Sequence, residues 1–111
     1  MSDNEYHDIM AIVKERLRNW QLAYGDKTEL NKIVEENREY VHGIVDRIIQ
    51  LHDHARSENN RNDNSEVTES FTRMETLATE LVSNLHLPFP ARKFSDCVLW
   101  ARVSLLYSDL R

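Results

Sequence analysis

The chain is 111 residues long, with two glycines, two prolines, one cysteine and a formal net charge of −5. That length fits one domain, and a domain so small buries only about 60–70% of its unfolded surface, so its own core gives modest stability. Scarce glycine and proline exclude a turn-rich β protein, the acidic balance weighs against general binding to DNA or RNA phosphates, and a single cysteine excludes an internal disulfide.

Apolar residues make up 41% and charged residues 30%, the balance of a folded domain rather than a disordered one. The opening "MSDNEYHD" is acidic where a signal peptide is basic and then apolar. No run approaches the roughly 18 apolar residues that span a bilayer, so the expectation is a cytoplasmic protein with no membrane contact.

The first helix is read from Tyr6, Met10, Val13, Leu17, Trp20 and Tyr24, which recur at alternating steps of four and three and form one packing seam. Gly25 supplies a helix stop, and Asp26 with Glu29 forms a capping box for the next helix. A connection of about three residues makes these two helices an antiparallel hairpin. The second helix is expected from Lys27 to Arg56, roughly 45 Å at 1.5 Å per residue. Its seam reads Leu30, Val34, Asn37, Val41, Ile44, Ile48, Leu51 and Ala55. Asn37 is the polar member. It either fixes register and partner number across an interface or lies in water at the edge of the seam.

The run "SENNRNDNS", Ser57 to Ser65, has no apolar residue and reads as a surface loop. The third helix, capped by Asn64 or Ser65, carries Val67, Phe71, Met74, Ala78, Leu81 and Leu85, with Leu77 and Val82 widening the stripe. "LPFPA" ends it, because each proline disfavours helix in the residue before it, and Pro90 suits the first turn of the fourth helix. In that last helix Phe94, Val98, Ala101 and Leu105 form one stripe, while Cys97, Leu99, Trp100, Val103 and Leu106 extend it around most of the circumference. Three other helices cover two faces of such a helix. The rest is expected to meet another copy or a partner, with Asn37, Val98, Leu99, Val103 and Leu106 at the interface. The rival is a central helix in a monomer.

Chemistry-bearing residues are few. Glu35, Glu39, His42 and Asp46 share one stripe, and Glu39 with His42 makes the Glu-x-x-His pair used by di-iron bundles, but no second pair exists. The same cluster, with Glu36, loosely resembles the paired acidic motifs with which all-helical nucleotide pyrophosphatases hold magnesium, and the second acidic motif is missing. His52 and His54 stand two apart and point in nearly opposite directions on a helix, so one metal cannot join them. Cys97 reads as a small buried hydrophobe. No catalytic triad or phosphate-cradling glycine loop is present, and neither enzyme chemistry nor a cofactor or metal is expected.

The segment from "LATELVSNLHL" through a proline to "ARKFSDCVLWARVSLL" resembles the C-terminal helical hairpin of small phage proteins that sequester cyclic nucleotides, the anti-CBASS and anti-Thoeris sponges. The residues that carry the resemblance are Leu77, Leu81, Pro90, Arg92, Trp100 and Ala101, over about the last 40 residues. The interval from arginine to tryptophan is about two turns shorter than in that family, and the acidic pair before the tryptophan is absent. The resemblance implies an oligomer of hairpins that binds a signalling nucleotide without altering it.

Charge supports a binding role for the same segment. Residues 88–111 hold four basic and two acidic side chains, a surplus of two positive charges in a chain whose remainder is strongly acidic. Arg92, Lys93 and Arg102 can grip phosphate while Trp100 or Tyr107 stacks on a base. The expectation is therefore one all-α domain of four helices, an N-terminal hairpin over 1–56 and a C-terminal hairpin over 66–111 joined by the 57–65 loop, assembled as a homo-oligomer. Its expected function is non-catalytic sequestering or blocking of a cyclic nucleotide or a host protein, as a phage or bacterial inhibitor. The alternatives are a magnesium-dependent nucleotide hydrolase using Glu35, Glu36 and Glu39, and a structural assembly subunit.

Overall fold

In a computed structural model of the chain, the described residues are 3–21, 27–60, 64–87 and 89–109. Among them are five helices and no strand: α1 (Asp3–Gln21), α2 (Lys27–Glu36), α3 (Arg38–Asn60), α4 (Asn64–Leu85) and α5 (Ala91–Asp109). The protein is all-α. Tyr24, Gly25 and Asp26, and the side chains of Trp20 and Glu29, lie outside the described residues, so the expected helix stop and capping box do too.

The long second helix is divided in two at Asn37. Its side-chain Nδ2 donates to the Ile33 carbonyl at 2.9 Å, the same oxygen that accepts its backbone N–H at 3.1 Å. The Val41 N–H still donates to the Asn37 carbonyl at 3.0 Å, so the ladder bonds of Asn37 itself are kept, and the side-chain amide shares the Ile33 carbonyl in the i−4 back-bonding that bends helices. α3 then runs on to Asn60, through the first four residues of the expected loop. Extending a formed helix costs far less than starting one, and Ala55 and the half-buried Glu58 keep this end attached to the body. The polar composition of the run misled because helix propensity is a weak prior beside such packing.

α3 and α4 make the largest helix–helix interface and run antiparallel. Asn84 Nδ2 donates to the Tyr40 hydroxyl at 2.8 Å near one end, and His54 Nε2 stands 3.5 Å from Glu66 Oε2 near the other. α1 lies mainly on α5 and touches α2 and α3 only sparsely. The contact pattern thus differs from two self-contained hairpins: the outer helices of the sequence pair with each other, and α5 also packs on α4 and α3.

The seams enter one core. Ile9, Val13 and Leu17 of α1, Val41, Val45 and Ile48 of α3, Met74 and Leu81 of α4, and Phe94 and Val98 of α5 are almost wholly enclosed. Each such side chain contributes about 1.5–3 kcal/mol through removal from water. Phe94→Ala, which also leaves a cavity, costs about 3–5 kcal/mol.

α4 ends in a Schellman turn. The Leu87 N–H donates to the Val82 carbonyl at 3.1 Å and the His86 N–H to the Ser83 carbonyl at 3.4 Å, with His86 at a φ of 52°. The helix therefore stops before Pro88 is reached. Pro90 stands immediately ahead of α5, and its carbonyl accepts the Lys93 N–H at 3.0 Å.

Candidate functional site

Within a single chain α5 is covered by its neighbours on one side only. Phe94, Val98 and Ala101, at steps of four and three, face the core. On the opposite side Trp100 is 48% exposed, Val103 37% and Tyr107 66%, a strip at steps of three and four with Leu99 and Leu106 half-buried beside it. One side of the helix satisfies the core, and the apolar residues on the other side stay in contact with water. Val98, expected at an interface between copies, is fully covered by its own chain and has no surface to offer. Leu99, Val103 and Leu106 retain some. Asn37 is half-buried at the α2–α3 junction with its amide committed to Ile33.

Cations flank the strip on both sides. Toward α1, the Arg16 guanidinium carbon lies 4.1 Å from the Trp100 ring centre. Arg16 also borders a cleft of about 310 Å³ lined by Leu17, Asn19, Lys93, Asp96 and Cys97. Burial pushes the Cys97 thiol pKa up, with the neighbouring Arg16 opposing the shift.

Toward α3 lies a groove of about 360 Å³ lined by His52, Arg56, Val103, Leu106 and Tyr107. Arg102, on the same side, reaches Asp53 Oδ2 with Nη2 at 3.5 Å. Burial lowers the pKa of His52; Asp53 opposes this, while Arg56 and Arg102 add to it. His52 Nδ1 and Arg102 Nε are enclosed without hydrogen-bond partners.

The five expected ligand residues are thus divided along the helix. Lys93 and Trp100 belong to the α1 flank and Arg102 and Tyr107 to the α3 flank, while Arg92 is exposed at the start of α5. Neither Arg92 nor Lys93 forms an ion pair among the described residues. Arg16, His52 and Arg56 were missed. They come from α1 and α3, and no local pattern marks a residue that a distant helix recruits. The opposed directions of His52 and His54 do hold: one lines the groove and the other stands beside Glu66.

The acidic stripe is dispersed among structural contacts. Lys14 Nζ donates to Glu35 Oε1 at 3.0 Å, and this bond lowers the pKa of Glu35. The His42 ring meets Tyr6 edge-on with centroids 4.4 Å apart, Gln50 donates to Asp46 at 3.0 Å, and Glu36 and Glu39 are exposed. Among the described residues, no three His, Cys, Asp or Glu side chains are grouped so as to hold a metal ion.

No helix among the described residues is long and apolar enough to cross a membrane. The chain matches no protein-family model, no curated protein and no solved structure in the comparisons made.

Proposed function

We propose that the protein is a non-catalytic binding protein that sequesters an anionic ligand bearing a planar ring, a signalling nucleotide of the cyclic kind, on the outer side of α5. The observation that carries this reading is the groove beside Tyr107, where an exposed aromatic ring adjoins His52 and Arg56 on an otherwise acidic protein. Arginine forks onto phosphate oxygens, and an aromatic face accepts a base of any identity. Trp100 with Arg16 offers a second pairing of the same kind, seven residues or about 10 Å along the helix.

Self-association belongs to the same reading. Leu99, Trp100 and Val103 give a second copy an apolar surface, and tryptophan and arginine are the residues that most often dominate such contacts. Copies of the five-helix unit joined through α5 are the proposed assembly.

Calorimetric titration against a panel of cyclic di- and trinucleotides tests the ligand, and sedimentation equilibrium at micromolar concentration tests the assembly. Binding tighter than about 100 μM, roughly −5.5 kcal/mol, is expected. Failure of every nucleotide to reach that strength would leave the strip as a protein interface, and a particle of 13.1 kDa would remove the oligomer.

A further inference from the structure

We infer that the groove between α3 and α5 is a proton-coupled anion site, in which His52 takes up a proton when an oxyanion settles between it and Arg56. The inference rests on the binding reading above and concerns how that site is regulated.

His52 lines the groove, and its Nδ1 is enclosed with no acceptor. The imidazolium carries a proton on both nitrogens, so charging the ring leaves an enclosed N–H unsatisfied and adds a positive charge near two arginines. The ionisable groups acting on His52 are Asp53 and Arg56 from its own helix and Arg102 from α5, with Tyr107 lining the same groove. Asp53 is the carboxylate among them, and Arg102 already draws on it. The groups around His52 therefore favour its neutral form.

An oxyanion reverses this balance. Its charge offsets Arg56 and Arg102, so a proton on His52 no longer adds uncompensated positive charge to the groove. Binding and protonation then strengthen one another, because linkage between two sites is reciprocal. The uptake of one proton makes affinity rise as pH falls, by up to about tenfold per unit while His52 is charged only in the bound state.

Sulfate is a suitable probe, since its charge does not change across the histidine range. The ring Cε1–H signals of the five histidines are followed by proton NMR from about pH 5 to pH 8, in chloride and in about 50 mM sulfate at matched ionic strength. The His52 midpoint is expected to move up in sulfate by about one unit, further than those of His7, His42, His54 and His86. Arg56→Gln should abolish the movement while its circular dichroism stays native. An unchanged His52 midpoint, or an equal movement in Arg56→Gln, overturns the proposal. Nucleotide titration separates the two readings. Nucleotide binding without a sulfate-induced shift overturns the proton coupling alone, and a shift without nucleotide binding supports the coupled anion site and overturns the nucleotide.

Discussion

The Arg16 guanidinium of α1 stacks on the half-exposed Trp100 of α5, 4.1 Å from the ring centre, and ties two helices from opposite ends of the chain. A cation over an exposed indole contributes about 0.5–1 kcal/mol. Arg16→Ala should therefore lower stability by about that amount, measured by urea unfolding. Trp100→Ala should remain folded, because a ring half in water leaves no closed cavity when removed. A loss above about 3 kcal/mol would show that Trp100 acts as a core residue after all.

Much of the fold was legible in the sequence, and the part that was not has a common cause. The α1 seam through Tyr6, Met10, Val13 and Leu17 is buried as its spacing implied, as are Met74, Ala78 and Leu81 of α4. Periodicity reports which side of a helix is apolar, and it reports nothing about which neighbour covers that side. The pairing of α1 with α5 was hidden for that reason. The break at Asn37 was hidden because a seam position looks the same whether a polar side chain crosses an interface or turns back onto Ile33. Of the candidate site, the α5 residues were found and the α3 residues His52 and Arg56 were not.

Two backbone substitutions should stabilise the protein by opposite changes. Gly43 lies exposed within α3, and a Cβ built there meets nothing within 4 Å, so Gly43→Ala should add about 0.5–1 kcal/mol through reduced chain entropy. His86 holds a left-handed conformation that costs an ordinary residue roughly 1 kcal/mol, so His86→Gly should also stabilise, by somewhat less. Each gain of 1 kcal/mol raises the melting temperature by about 4–8 °C in a domain near this size. A drop in melting temperature for either variant would contradict the backbone geometry at that position.

The pH dependence of stability should carry a contribution from His52. Burial holds its pKa in the folded protein below the ordinary histidine value of about 6.5. The unfolded chain then binds the proton more readily, so this group's effect is absent well above pH 6.5. It lowers stability as pH falls through 6.5 toward the depressed value. His52→Gln removes that effect, and the loss of stability between about pH 7.5 and pH 5.5 should be smaller in the variant than in the wild type. Equal losses in urea titrations would show that burial of the ring does not disfavour its charge.

Cys97 is buried, and its thiol is held protonated above the ordinary range. Since the thiolate is the reactive form, the native protein should react with iodoacetamide far more slowly than the urea-unfolded chain at the same pH. Comparable rates in the two states would place the sulfur in open contact with solvent.

The union of α1 with α5 also dictates what the ribosome must wait for. Ile9, Val13 and Leu17 are synthesised early, yet Phe94 and Val98, part of the core they join, follow roughly 80 residues later, about 4–16 s at ordinary rates of translation. During that interval the antiparallel α3–α4 pair is already complete in sequence and can close by local contacts. The nascent chain thus carries a sticky amphipathic α1 beside a formed helical pair until α5 emerges. Stalled chains ending before Ala91 should bind a hydrophobic dye that the released protein excludes, and equal dye binding by both would show that α1 finds cover without α5.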